Sequence, residues 1–159
     1  MRFALFGKEF QAGKTVSIHR LIDSLKARGA EIYIERTFFR YITSALGMEV
    51  EVSGVFDNYN FDVDFVISIG GDGTFLRAAS MVGSKATPII GVNTGRLGFL
   101  ADIHPDEIDH AIAEIADGHY AVEPHAVIMV EADGEIIEGS PFALNDIAVL
   151  KRDNASMIS

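Results

Sequence analysis

The sequence predicts an α/β protein: a parallel-sheet, Rossmann-like domain over residues 1–122, then the start of a β-rich, sandwich-like domain over residues 123–159. Three observations predict it. Short apolar runs alternate with amphipathic helical stretches, the pattern of repeated βα units around a parallel sheet. Glycines stand where strand patterns hand over to helical ones. After Val122 the helical period stops, and short runs joined by turn residues replace it.

Arg2–Phe6 is a short apolar run and reads as a buried strand. Thr15–Arg28 reads as a helix, because Ile18, Leu21, Ile22 and Leu25 share a face and Gly29 stands where a C-terminal cap belongs. Glu31–Glu35 alternates polar and apolar residues, as a strand does. Arg36–Leu46 reads as a second helix, closed by Gly47. Residues 48–63, with Gly54, Asp57, Asn58 and Asn60, read as a loop. Phe65–Ile69 reads as an apolar strand, Thr74–Val82 as a helix and Pro88–Val92 as another strand. Pro105–Ala116 reads as a helix with Ile108, Ile112 and Ile115 on one side, closed by Gly118. Ala126–Glu131, Glu135–Ile137 and Ala143–Leu150 read as strands, joined by turns such as Asp133-Gly134. The chain reaches Ser159 inside what reads as a strand, so a longer natural protein is expected. Strands from Ala126 onward would then lack partners, and open edges favour association, so a homo-oligomer is expected.

Composition narrows the function classes. Hydrophobic residues make up 48% of the 159, enough for a core and too many for disorder. The net charge of -10 argues against a nucleic-acid surface, which needs clustered Lys and Arg, but leaves room for a small phosphate-bearing ligand. With no cysteine there is no disulfide, no thiolate metal ligand and no thiol nucleophile. The N-terminus has no signal-peptide pattern, and no apolar run approaches the ~18 residues of a membrane span, so a cytoplasmic protein without membrane contact is expected. His19, His104, His110, His119 and His125 have no metal-ligand spacing and read as surface or domain-junction residues.

Gly7 to Thr15 resembles a phosphate-binding P-loop, but five residues separate Gly7 from Gly13 where four are needed, so it reads as a connecting loop. Gly70-Gly71-Asp72-Gly73-Thr74 is stronger, because it joins an apolar strand to a helix, where α/β sheets bind ligands. Glycines bring backbone N–H groups close to phosphates. A carboxylate among them would repel phosphate unless it had a task, such as accepting a hydroxyl proton. The alternative is a tight turn in which Asp72 caps the helix, and three glycines around one aspartate weigh against it. Arg77, one helical turn past Thr74, either neutralises a phosphate or is solvated. Asn93 to Leu100 follows the next strand at the same sheet edge; Phe99 suits packing on a flat ring, and Arg96 either meets a phosphate or is solvated. Asn145-Asp146 lies in an otherwise apolar stretch, where two polar groups either bind something or mark a bulge or strand end.

Together these three motifs resemble the NAD kinase family in order and spacing. The Gly-Asp loop alone is shared with diacylglycerol and sphingosine kinases and with 6-phosphofructokinases; Asn93-Thr94-Gly95-Arg96-Leu97-Gly98-Phe99 separates the NAD kinases from them. The resemblance implies an α/β domain and a β-rich domain with the active site between them. It implies transfer of the terminal phosphoryl of ATP, sometimes of polyphosphate, to the 2′-hydroxyl of the adenosine ribose of NAD, with a divalent metal such as Mg2+. By the same resemblance Asp72 is the base on that hydroxyl, and Gly71, Gly73 and Thr74 form the nucleotide loop, with Gly73 touching NAD. Arg77 would contact a nucleotide phosphate and Phe99 would lie against adenine. Asn145 and Asp146 would hydrogen-bond the nucleotide, with Ser156 near a further contact. The sequence departs from the family twice. Asp146 stands where members usually carry Glu, and the later Gly- and Thr-rich segment is absent, so residues 1–159 alone are expected to be inactive. A lipid kinase of the diacylglycerol type and a non-catalytic nucleotide-binding module are the rival expectations.

Overall fold

The computed structural model describes residues 1–8, 15–58, 60–95, 98–131, 141–144 and 146. Five strands, β1 (Arg2–Gly7), β2 (Glu31–Glu35), β3 (Gly54–Phe56), β4 (Phe65–Gly70) and β5 (Ile89–Asn93), form a parallel sheet in the order β3-β2-β1-β4-β5. All six residues of β4 are buried, so its sequence is apolar almost throughout rather than alternating, as expected of a central parallel strand. The register sets Phe3 beside Phe65 and Gly7 beside Ile69, and Gly70 beside Asn93.

Side-chain alternation splits the core into two layers. Phe3, Leu5, Phe65, Ile67 and Ile69 face α1 (Thr15–Lys26), α2 (Arg36–Arg40) and α4 (Ile108–Ala116), meeting Leu21, Leu25, Phe38 and Ile112. Ala4, Phe6 and Val66 face α3 (Asp72–Val82) through Ala78 and Val82, with Phe56 and Phe61 completing an aromatic cluster around Phe6. Each fully buried Leu, Ile or Phe here contributes about 1.5–3 kcal/mol, and truncating one such as Leu25 to Ala would cost about 2–5 kcal/mol.

Several expected elements shift. β3 falls inside residues 48–63, expected to be a loop; it is a three-residue edge strand pairing Gly54 with Tyr33. The second helix continues past Arg40 as a wider π-type turn, Tyr41–Ala45, where the Thr43 hydroxyl donates to the Phe39 carbonyl at 2.9 Å. Gly29 and Gly118 take φ of +65° and +78°, in keeping with their expected closing positions. The helix expected from Pro105 opens as a 3-10 turn, Pro105–Glu107, before α4. The strand expected over 126–131 is only β6 (Ile128–Met129), paired antiparallel with β7 (Phe142–Ala143), and this pairing begins a second sheet. The expected strand Glu135–Ile137, the Asp133-Gly134 turn and positions 147–150 lie outside the described residues.

The chain runs from β1 through β2 to β3 on one side of the sheet, and from β4 to β5 on the other. Connections therefore diverge between β1 and β4, and a crevice opens beyond their carboxyl ends. Gly7 and Gly70 end those two strands.

Candidate active site

Beyond Gly70 the chain turns directly into α3. Gly71 is the extended N-cap residue, at φ -118°, and offers no side chain to the helix. The helix begins at Asp72, two residues earlier than expected, because the Thr74 and Phe75 N–H groups already donate to the Gly71 carbonyl at 2.9 and 3.2 Å. Asp72 and Gly73 thus occupy the first turn, whose N–H groups have no carbonyl behind them in any helix. Among the described residues, a Cβ added at Gly71 or Gly73 would meet nothing within 4 Å, and neither residue has a positive φ. Neither packing among the described residues nor backbone geometry asks for glycine there. Their bareness leaves room for another molecule to reach the helix N-terminus. Thr74 is buried beneath this turn.

Asp72 does not cap α3. Its carboxylate turns to the loop after β5, where Oδ2 accepts from the Phe99 N–H at 2.9 Å and Oδ1 from the Leu100 and Ala101 N–H groups at 3.1 and 3.3 Å. The Phe99 bond first, then those of Leu100 and Ala101, hold the carboxyl below its ordinary 3.8, because each favours the charged form. Close packing supports the arrangement. A Cβ at Gly98 would overlap Asp72 Oδ1, and one at Gly91 would lie 2.6 Å from Ala101 Cα. The two loops are stitched again where the Thr94 N–H donates to the Gly70 carbonyl at 2.9 Å, and Asn93 Oδ1 closes its own turn on the Gly95 N–H at 2.9 Å. The chain then returns along β5: the Asn93 N–H donates to the Ile103 carbonyl and the Ile103 N–H to the Gly91 carbonyl, at 2.8 and 3.0 Å. Phe99 is 101% exposed at the tip.

Arg77 crosses the crevice from α3. Its Nη2 donates to the Gly7 carbonyl at 2.6 Å and lies 3.5 Å from Glu35 Oε2, and its guanidinium carbon is 6.0 Å from the Phe6 ring centre. It is therefore anchored at the ends of β1 and β2 while its side chain stays 42% exposed. Glu35, which the sequence analysis did not single out, is buried and caps α2 by accepting from the Thr37 and Phe38 N–H groups at 3.1 and 3.0 Å. The signal was present: an acidic residue ending a strand just before a helix occupies an N-cap position.

The first two motifs thus form one site at the crevice. Asp146 is exposed just beyond β7, and β7 lies at the other end of α3, where a Cβ at Gly83 would strike the Phe142 ring. Arg96, Asn145 and Ser156 lie outside the described residues, as does most of the Gly7–Thr15 loop. Among the described residues no group of three His, Asp or Glu side chains is arranged to hold a metal ion, and no helix is long and apolar enough to cross a membrane.

Comparison with known proteins gives the family and the fold. Residues 16–120 match the model of the ATP-NAD kinase N-terminal domain. A curated relative from Bacteroides fragilis, named NAD kinase, is 50% identical over 159 residues, covering 100% of this chain and 55% of the relative. One from Porphyromonas gingivalis, also named NAD kinase, is 39% identical over 158 residues, covering 99% and 54%. The crystal structure of yeast NADH kinase complexed with NADH superposes with a TM-score of 0.65 at 17% identity, covering 90% of this chain and 46% of that one, a likeness of fold. The chain spans about half the length of the curated relatives it matches.

Proposed function

The chain belongs to the ATP-NAD kinase family, and from that premise we propose that it supplies the phosphoryl-transfer half of an NAD kinase. In the proposed reaction the 2′-hydroxyl of the adenosine ribose of NAD attacks the terminal phosphorus of ATP, or of polyphosphate. The bond to the leaving phosphate breaks, ADP (or polyphosphate one unit shorter) departs, and the hydroxyl proton passes to Asp72. The observation that carries this reading is the bare N-terminus of α3 at the crevice, where among the described residues nothing packs against glycine at 71 or 73.

Asp72 suits the work in a particular way. A carboxylate offers about four acceptor positions, and three are taken by the Phe99, Leu100 and Ala101 N–H groups, leaving one for a hydroxyl. Those three N–H dipoles also offset its charge, so a phosphate is not driven from the glycines. Its low proton affinity makes it a weak base. Phosphoryl transfer through a loose transition state tolerates that, because the proton leaves late and positioning does most of the catalysis. Arg77, anchored at the ends of β1 and β2 but partly exposed, would meet a nucleotide phosphate, and Phe99 would offer its exposed ring to adenine. By family resemblance, Asn145, Asp146 and Ser156 are also proposed as nucleotide contacts. Because the described side chains form no metal cage, the divalent cation would enter on the ATP phosphates, where it would offset phosphate charge. A cytoplasmic homo-oligomer is the proposed setting.

The test uses protein of the relatives' full length, incubated with NAD, ATP and magnesium, with NADP read through an NADP-specific dehydrogenase. Steady NADP formation that falls about 10²–10⁴-fold in Asp72→Asn is expected, the usual worth of a positioned base. Absence of NADP from the wild-type protein would sink the reading.

A further inference from the structure

We propose that Asp72 is also a positioning residue: through its bonds to the Phe99, Leu100 and Ala101 N–H groups it shapes the Phe99 turn before any nucleotide arrives, and so sets affinity for the adenine-bearing substrate. The inference rests on the reading of Phe99 given above, and deepens it.

Four features of the structure lead to it. Both carboxylate oxygens are engaged, by three consecutive N–H groups of a segment 27 to 29 residues away in sequence. The Phe99 ring is wholly exposed, so no packing of its own side chain holds the turn in place. Position 98 must lack a Cβ for the carboxylate to come this close. Beneath the turn, Gly91 lets Ala101 lie against β5, so the segment is supported from both sides. A binding aromatic on a pre-shaped turn spends less of its contact free energy on ordering the backbone, and the ligand gains the difference. Asp72 thereby joins the glycine loop to the adenine-binding turn, which a base acting on the hydroxyl alone would not do.

The experiment has two arms on the full-length protein. In the first, amide hydrogen exchange at Phe99, Leu100 and Ala101 is followed by NMR without nucleotide. Wild-type amides are expected to be protected, with exchange rising about tenfold or more in Asp72→Asn, the scale of one lost hydrogen bond to a charged group. Gly98→Ala, which keeps the carboxylate but displaces it, is expected to do the same. In the second arm, NAD affinity is measured by calorimetry for Asp72→Asn, Phe99→Ala and the pair. Each single change is expected to weaken binding about tenfold, and the pair no further than the weaker single variant, because both disable one turn. Unchanged exchange in both Asp72→Asn and Gly98→Ala, or single effects that multiply in the pair, would overturn the proposal. Wild-type protein that fails to bind NAD at all would overturn the assignment of function instead, so the two failures are distinguishable.

Discussion

Gly91→Ala tests the link between the sheet and the site from beneath. The new methyl carbon would sit 2.6 Å from Ala101 Cα, 2.9 Å from Ala101 Cβ and 3.0 Å from Phe75 Cδ2. Carbon atoms rest at about 3.5–4.0 Å, so Ala101 would have to retreat by roughly 1 Å. Its backbone belongs to the Asp72-bound turn, with N–H bonds already 2.9–3.3 Å long. A retreat of that size carries them past the hydrogen-bond limit. Overpacking of this kind costs about 1–3 kcal/mol. With an m-value of about 1–3 kcal/mol/M, the urea midpoint should fall by roughly 1 M. The second readout is KM for NAD, expected to rise with the midpoint loss, while KM for ATP changes less. Urea melts by circular dichroism and steady-state kinetics on the full-length protein make the check. An unchanged midpoint with unchanged KM for NAD would refute the reasoning, since it would mean that β5 and the turn do not press on one another.

Three further outcomes are expected. Glu35→Gln removes the charge facing Arg77 and keeps only one carbonyl oxygen for the two α2 amides; stability should fall by about 1–2 kcal/mol, mostly from the lost cap. KM for the phosphate donor should rise more than kcat falls, and equal loss in both would remove Glu35 from the support of Arg77. Ser68 has a buried hydroxyl without a partner among the described residues, so Ser68→Ala should leave stability unchanged or raise it by up to about 1 kcal/mol, read as a thermal shift upward. Asp72 has a lowered carboxyl value, so its contribution is complete above 3.8 and is lost as pH falls through the still lower folded value. Protection of the Phe99–Ala101 amides should hold from about pH 8 to about pH 5; a loss centred near pH 6 or 7 would show that another group governs the turn.

Much of the fold was legible because its signals are local. The period-3.6 face of Ile18, Leu21, Ile22 and Leu25 and the apolar run at Phe65–Ile69 each state their own element. β3 was not legible: three residues among turn formers carry no pattern, and only pairing with Tyr33–Glu35 makes them a strand. The site divides the same way. Gly70–Thr74 announces itself at a strand–helix junction, whereas the direction of the Asp72 carboxylate depends on a turn that reaches it only once β5 has paired with β4. Gly98 is legible as part of the Asn93–Phe99 motif, but its steric requirement is not, because it comes from an acid 26 residues away. Arg77 stood undecided between phosphate and solvent, because spacing along one helix says nothing of the strand ends opposite it.

The return of the chain along β5 has a consequence for how the protein behaves in concentrated solution. An outer strand of a sheet normally presents a ladder of open donors and acceptors that a neighbouring molecule can extend, the first step toward aggregation. Here Ile103 occupies that ladder at Gly91 and Asn93, so no strand from another molecule can dock at that end of β5. At the opposite border β3 is only three residues long, a short template for the same event. The segment that carries the Phe99 turn thus also seals the sheet. A substitution that loosens it should be recognised first by visible self-association on concentration, before any loss of helical signal, and changes made to alter substrate choice near Phe99 will have to keep the Ile103 seal intact.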